Sequence, residues 1–250
     1  MKLPIIKNNV VGVILLAGRG KRLFPLTNIV PKCLLSIRGH TILEHQLQAL
    51  NNQGVTQVIF CVGYKREYMI RIIKQMCQRY NITPRFVVNK KYHTTNTLFS
   101  LFLCVKKLQA NVLLLNGDVM FDPNILALIL QNRALEKAVL AVQKKKTNEE
   151  EIKFTLDKNH YIKHISKQIE IQKSCGEFTG IAYFPKTYVY RLSLTLQQLI
   201  REKKQNEYFE YALERTIQKN HLQYIPMNIK TLKFIEIDTY DDYKTAKKIF

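Results

Sequence analysis

The chain contains no tryptophan, no CxxC pair and no HExxH motif, and it lacks any long hydrophobic run. A helix that crosses a bilayer needs about 20 consecutive apolar residues, so the sequence predicts no membrane segment. The five cysteines are scattered and odd in number, which argues against a disulfide framework or a structural zinc site. We therefore expect reduced thiols and a cytoplasmic location. An ordinary hydrophobic core is also expected, since 46% of the residues are apolar.

Acidic residues are also few: 19 stand against 39 lysines and arginines, which gives a formal charge of +20 at pH 7. Such an excess fits a nucleic acid, an anionic membrane or phosphorylated small molecules as partners. The cations are spread along the whole chain, and the run 144–146 is the longest cluster of lysines. No RGG tract and no RNP-like aromatic strand accompanies them. We interpret the charge as a solvated, lysine-rich surface and expect neither a nucleic acid nor a membrane as the partner.

Continuous apolar segments alternate with segments of helical periodicity over the first 143 residues. The segment 10–17 is apolar throughout and is followed by Gly18, which is typical of a buried parallel strand. Asp122 before Pro123 has the pattern of a helix cap. Further strands are predicted at 55–62, 85–88, 112–116 and 138–142, and helices at 41–52, 67–80, 95–108 and 123 to about 132. This order predicts the α/β class: a Rossmann-like, mixed and mostly parallel sheet with helices on both faces.

The pattern changes after residue 143. An exposed hairpin is predicted at 153–156 and 161–165, followed by a strand at 178–184, helices at about 187–203 and 207–219, a strand at 234–237 and a helix at 240–249. We interpret residues 1–250 as one domain. Its nucleotide-binding core is expected at 10–143, a small inserted lobe that binds the acceptor at 144–232, and a final strand and helix that return to the core at 233–250.

A glycine-rich loop follows the first predicted strand. A dinucleotide-binding fingerprint would need a glycine where Leu23 stands, and a P-loop would need a glycine at Leu15 and a serine or threonine at Arg22. Gly18 and Gly20 still let the backbone approach a polyphosphate, and the neighbouring cations neutralise its charge. The loop alone also fits a tight turn with solvated cations.

The pattern G-x-G-x-R-x-x-P-L-T at 18–27, followed by Pro31-Lys32, resembles the nucleotide-sugar pyrophosphorylase superfamily of nucleotidyltransferases. The segments that extend this resemblance along the chain are 62–64, 89–92, 94–96, 100–101, 116–119, 176–180 and 236–238. Together they look less like hexose-1-phosphate enzymes than like the phosphocholine and 2-aminoethylphosphonate cytidylyltransferases.

The resemblance implies a reaction in which an acceptor oxygen attacks the α-phosphate of CTP and pyrophosphate leaves. Arg22 would hold the β- and γ-phosphates together with the loop amides, and Lys32 would bridge the α-phosphate and the incoming oxygen. Asp118 and Asp238 each follow an apolar strand, and two such carboxylates would repel unless a divalent cation such as Mg²⁺ lay between them. Glu236 shares a strand face with Asp238. Taken singly, each aspartate also fits a turn or a helix cap, the role assigned to Asp122.

The resemblance also implies the nucleotide contacts, which fall in three segments. The expected nucleotide-binding residues are Leu16, Ala17, Gly18, Gly20 and Lys21 in the loop, Gly63 and Tyr64 in a turn, and Asn89, Thr95 and Asn96 before a helix. Asn89 and Thr95 equally fit capping roles, and the preference for cytosine over uracil rests on the resemblance alone.

Glu177, Tyr183 and Glu210 are the expected acceptor-binding residues, because an ammonium group favours a carboxylate or an aromatic face. The segment 208–213 also fits an amphipathic helix that buries its apolar side, and Tyr211 stands where a second acid is expected. Two other functions stay open: a sugar-1-phosphate nucleotidylyltransferase, and a non-catalytic, basic nucleic-acid-binding protein. The oligomeric state also stays open, with a homodimer as one candidate.

Overall fold

The computed structural model describes residues 10–132 and 136–250. Nine of the strands in these ranges form one central sheet, and two further pairs are short. The strands are β1 Val10–Leu16, β2 Ser36–Ile37, β3 His40–Thr41, β4 Gln57–Val62, β5 Thr83–Val88, β6 Asn111–Asn116, β7 Val119–Phe121, β8 Ala138–Gln143, β9 Lys153–Leu156, β10 Ile162–Ser166, β11 Glu177–Phe184, β12 Tyr224–Asn228 and β13 Phe234–Glu236. Residues 1–9, which belong to the predicted domain, lie outside the described ranges.

The parallel half of the sheet is built from the apolar runs seen in the sequence. Strand β1 lies between β4 and β6, and β5 pairs with β4, all in parallel. Because the carboxyl ends of these strands meet at one edge, the loops after β1, β4 and β6 converge there.

The second half of the chain extends the same sheet. Strand β11 runs antiparallel to β6 on one side and to β8 and β9 on the other, and an irregularity between Phe178 and Ala182 allows this branching. The hairpin of β9 and β10 was predicted to be exposed, and this is wrong: Phe154 and Ile165 are fully buried, because helix α7 (Phe209–Asn220) packs on β10.

Strands β7 and β12 are missing from the sequence prediction. Strand β7 is three residues long, too short for an alternating pattern to be read. Strand β12 contains Pro226 and pairs only with β8 among the described strands, and an edge position is where a sheet tolerates proline.

Helices cover both faces of the sheet, as predicted. Their bounds are α1 Leu26–Ile29, α2 Ile42–Asn52, α3 Arg66–Arg79, α4 Thr97–Val105, α5 Asn124–Gln131, α6 Lys186–Arg201, α7 Phe209–Asn220 and α8 Tyr240–Ile249. Apolar residues of α2, α3 and α5 share one buried cluster, and those of α4, α6 and α7 share another. Within the described residues, no helix combines the length and the apolar character needed to cross a bilayer.

Candidate active site

A cleft of about 460 Å³ opens where β1 and β6 end. Ten of the residues singled out from the sequence line it, namely Gly18, Gly20, Lys21, Arg22, Lys32, Asn96, Asp118, Glu210, Glu236 and Asp238. Leu16 lines a smaller cavity that shares Lys32 and Asp118 with the cleft. Segments far apart in the sequence therefore converge at the carboxyl edge of the sheet, where open α/β folds bind their ligands.

The glycine-rich loop is fixed by one buried side chain. Gly20 has φ of 66°, in the left-handed region that glycine adopts without strain. The Thr27 hydroxyl, which is fully buried, donates a hydrogen bond to the Gly20 carbonyl oxygen at 2.8 Å. A side chain at Gly20 would begin 3.3 Å from the Lys32 Cβ. The loop is thus held close against the segment that carries Lys32.

Two cations and two carboxylates form a chain of ion pairs on the cleft wall. The Lys32 ammonium donates to Asp118 Oδ2 at 2.8 Å and to Asp238 Oδ1 at 2.6 Å. The Arg22 guanidinium donates to the other oxygen of Asp238, Oδ2, at 2.6 Å. We call these four residues the ion-pair chain.

The ion-pair chain keeps Lys32 and Asp238 charged. Burial by itself would lower the pKa of Lys32, but the carboxylates of Asp118 and Asp238 outweigh it and hold that pKa above its ordinary value. Burial would likewise raise the pKa of Asp238, but Lys32 and Arg22 outweigh it and hold that pKa below its ordinary value. The site therefore presents fixed charges at neutral pH.

The backbone around Asp118 is braced by a buried glutamine. The Gln46 side chain, in α2, donates through Nε2 to the carbonyl oxygens of Asn116 and Val119, both at 2.9 Å. Gly117 between them has no room for a side chain, because a Cβ there would lie 2.2 Å from Leu16 Cδ2. Gln46 therefore fixes the turn that carries Asp118.

Strand β13 brings Asp238 to Asp118. It pairs antiparallel with β7, with Glu236 opposite Val119, and the Ile237 amide donates to the Asp118 carbonyl oxygen at 3.0 Å. Burial and the neighbouring aspartates raise the pKa of Glu236 well above its ordinary value. The pairing of two short strands thus assembles carboxylates that are 120 positions apart in the sequence.

The carboxylates of Asp118, Glu236 and Asp238 suit a hard divalent cation. One oxygen from each lies within 4.8 Å of the others, and Asp118 Oδ1 is buried and has no hydrogen-bond partner in the part of the chain that the structure describes. A set made only of oxygen ligands is the type that Mg²⁺ favours.

The turn after β4 lies against the glycine-rich loop, as expected of a shared nucleotide site. The Tyr64 amide donates to the Ala17 carbonyl oxygen at 3.1 Å, and Gly63 is packed too closely against Ala17 to carry a side chain. The Arg19 guanidinium lies 5.6 Å from the centre of the Tyr64 ring and 4.9 Å from that of Phe24. Gly63 itself lines a separate groove.

Asn89 and Thr95 have their polar groups engaged within the protein. Asn89 is 1% exposed, and its amide nitrogen donates to the hydroxyls of Thr95 and Ser100 at 3.0 and 3.1 Å. Its amide oxygen accepts from the Lys91 amide, and the Thr95 hydroxyl donates to the Lys91 carbonyl oxygen. Both residues brace the loop before α4 rather than cap that helix, a role that falls to Asn96. Their contact with a nucleotide base stays a prediction.

The three predicted acceptor residues separate in the structure. Glu210 lines the cleft, and burial raises its pKa to about 7. Glu177 lies outside the cleft lining, in an adjoining cavity, where its carboxylate pairs with the Lys145 ammonium at 2.8 Å. Tyr183 is 3% exposed and belongs to the hydrophobic core beside Leu113; it does not line the cleft, and its contact with the acceptor stays a prediction. Strand β11 is covered on both faces, so even its polar residues are buried.

Lys167, Asn116 and Glu150 also line the cleft, and the sequence prediction misses them. Asn116 belongs to the segment 116–119, which carries part of the family resemblance, but the sequence prediction assigned it no role. Lys167 directly follows β10, and it reaches the cleft only because the hairpin folds back onto the main sheet. Its ammonium lies 3.5 Å from the Glu150 carboxylate and 5.2 Å from the centre of the Tyr208 ring. No local pattern in one sequence marks such a residue.

Residues 11–167 match the nucleotidyl transferase family. This stretch is more than half of the chain, and the chain belongs to that family. The resemblance read from the glycine-rich loop is confirmed.

The relatives include both a cytidylyltransferase and a sugar-1-phosphate nucleotidylyltransferase, the two kinds of enzyme considered from the sequence. The mannose-1-phosphate guanyltransferase of Debaryomyces hansenii is 34% identical over 112 residues, which are 44% of this chain and 31% of the relative. The choline-phosphate cytidylyltransferase of Streptococcus pneumoniae is 34% identical over 106 residues, which are 42% of this chain and 43% of the relative. The matched stretch thus spans less than half of either relative.

A solved structure of the CTP:phosphocholine cytidylyltransferase from Streptococcus pneumoniae shares the fold over nearly the whole chain. It superposes with a TM-score of 0.74 at 22% identity and covers 96% of this chain and 98% of that one. The fold class predicted from the sequence is confirmed.

Proposed function

We propose that this protein transfers the cytidylyl group of CTP to a small phosphate or phosphonate acceptor and releases pyrophosphate. The observation that carries the proposal is the ion-pair chain of Arg22, Asp238, Lys32 and Asp118, which lies beside the glycine-rich loop inside the cleft. A nucleophile that is already ionised needs no general base, so catalysis depends on positioning and on charge stabilisation.

The chain's own residues divide this work. Gly18 and Gly20 leave the loop open to the β- and γ-phosphates, and Lys21 and Arg22 neutralise their charge. Lys32 is held between two carboxylates, so its ammonium is oriented before substrate arrives. It would stabilise the charge that grows between the α-phosphate and the acceptor oxygen.

Asp118, Glu236 and Asp238 would hold Mg²⁺, and the bound ion would supply charge neutralisation to the phosphate oxygens. The same carboxylates also contact Lys32 and Arg22. Binding of the cation and the orientation of the two basic side chains are therefore coupled.

The cytidylyltransferase among the relatives supports CTP as the donor. The guanyltransferase, which matches at the same identity, supports a sugar-1-phosphate nucleotidylyltransferase as the second candidate. Both would use the ion-pair chain, so the difference lies in the base and the acceptor. All five cysteines are free, which supports the proposed cytoplasmic location.

Pyrophosphate release tests the proposal directly. CTP, UTP, GTP and ATP are each assayed with Mg²⁺ against phosphoethanolamine, phosphocholine, 2-aminoethylphosphonate, glucose-1-phosphate and mannose-1-phosphate. We expect turnover with CTP and an amino-alcohol phosphate or phosphonate. Turnover only with a hexose-1-phosphate would select the second candidate. No turnover with any pair, together with salt-sensitive DNA binding, would overturn the enzymatic function.

A further inference from the structure

Apart from Asp118 Oδ1 in the carboxylate cluster, two buried oxygen atoms of the cleft have no hydrogen-bond partner among the described residues: Glu210 Oε2 and Asn116 Oδ1. Both residues line the cleft, and Glu210 is only 5% exposed. Buried polar atoms in proteins are nearly always paired, and each exception needs an explanation. We call Asn116 and Glu210 the acceptor wall.

The acceptor wall also lacks a counter-ion. No ion pair involves Glu210 in the described ranges, and the lysine that affects it most, Lys167, is engaged with Glu150 and with the Tyr208 ring. A carboxylate kept out of water without a cation is costly. A bound cation would remove that cost.

Within the described ranges two aromatic residues, Phe178 and Tyr208, line the cleft, and both rings already contact other side chains. The Tyr208 ring already has the Lys167 ammonium 5.2 Å from its centre. The buried Phe178 ring packs edge-to-face with Phe209, with their centres 6.0 Å apart. Recognition of a trimethylammonium group relies on open aromatic faces, whereas this wall offers oxygen atoms that accept hydrogen bonds.

We propose that the acceptor wall binds a primary ammonium group carried by the small phosphate or phosphonate substrate, and that it discriminates against a trimethylammonium group. A primary ammonium has three N–H donors and can donate to Glu210 Oε2 or to Asn116 Oδ1. A trimethylammonium group has no N–H and leaves both oxygen atoms unpaired. This inference rests on the proposed nucleotidyl transfer and names the class of its acceptor.

Phosphoethanolamine and phosphocholine form a matched pair of probes, since they differ only in the methyl groups on nitrogen. We expect kcat/KM for phosphoethanolamine, measured by pyrophosphate release with CTP, to exceed that for phosphocholine by roughly 10- to 100-fold, as for one or two buried acceptors left unpaired. In Glu210→Gln this ratio should fall toward one, mainly because phosphoethanolamine loses its advantage. Glu207→Gln, at a more exposed carboxylate three residues earlier, should keep the ratio of the unmodified protein.

Calorimetric binding separates this inference from the proposed function. The two probes are titrated into the protein with Mg²⁺ and a non-hydrolysable CTP analogue, and no turnover is needed. Tighter binding of phosphoethanolamine, lost in Glu210→Gln, supports the acceptor wall even if catalysis fails. Equal or tighter binding of phosphocholine, or an unchanged ratio in Glu210→Gln, overturns the acceptor wall even if nucleotidyl transfer is found.

Discussion

The two sides of the cleft differ in how their charged groups are paired. On the nucleotide side, Lys32, Arg22, Asp118 and Asp238 neutralise one another at 2.6–2.8 Å. On the acceptor side, the buried Glu210 Oε2 has no hydrogen-bond partner among the described residues. The first arrangement keeps charges oriented before substrate arrives, and the second leaves free energy to be gained from the substrate itself. A preorganised side suits the nucleotidyl transfer step that the whole family shares. A side with an unpaired carboxylate oxygen suits the selection of one acceptor over another.

The largest effect should follow from removing the centre of the preorganised side. Lys32→Ala should lower kcat by at least about 10²–10³-fold, because a charge aimed at the transition state is lost. The measurement is pyrophosphate release under saturating substrates, with circular dichroism to check the fold. Lys74→Ala, on the exposed face of α3, is the matched control and should keep normal activity. Near-normal turnover of Lys32→Ala would remove Lys32 from the chemistry.

The next effect concerns the brace beneath the preorganised side. Gln46→Leu removes both hydrogen bonds to the carbonyl oxygens that flank Asp118. It should lower the free energy of unfolding by about 2–4 kcal/mol, since buried acceptors are left unpaired. Urea unfolding measures this loss. If Gln46 positions Asp118, the Mg²⁺ concentration for half-maximal activity should also rise several-fold. A loss of stability with an unchanged Mg²⁺ midpoint would limit Gln46 to a structural role.

The buried carboxyl group of Glu210, on the unsatisfied side, should make the free energy of unfolding depend on pH. The Glu210 pKa is raised by burial from 4.5 to about 7, so between these values the folded state holds a proton that the unfolded state has lost. Stability therefore falls as pH rises through this window, and the full penalty applies above pH 7. Glu210→Gln should be more stable than the unmodified protein at pH 8, by at most about 3 kcal/mol, and equal to it at pH 4.

Thermal or urea unfolding at the two pH values, with divalent cations chelated, measures the difference. Glu207→Gln serves as the control, because its side chain is far more exposed. If Glu210→Gln gives the same gain at pH 4 as at pH 8, the ionisation of Glu210 is not the source of the penalty.

The same contrast explains what the sequence could and could not predict. Lys32 and Asp118 stand in contiguous motifs, because they are placed by a loop or a strand end that the local chain itself builds. Tyr183 lies outside the cleft lining because β11 is buried on both faces, and strand alternation cannot indicate burial on both sides. Lys167 depends on the hairpin joining the main sheet, which is a contact between distant segments. Local patterns therefore identified more of the cleft lining on the nucleotide side than on the acceptor side.

The smallest effect should come from Lys167, the cation that links the two sides. Lys167 lines the cleft beside Glu150 and Tyr208, and we expect it to contact the phosphate of the acceptor. Lys167→Ala should raise KM for the acceptor by about tenfold, the value of one charge-assisted hydrogen bond, with KM for CTP unchanged. Initial rates at varied acceptor and at varied CTP separate the two constants. Lys163→Ala, on the exposed side of β10, should alter neither constant. An equal rise in both KM values would assign Lys167 to the nucleotide side, and the division between a preorganised and an unsatisfied side would no longer hold.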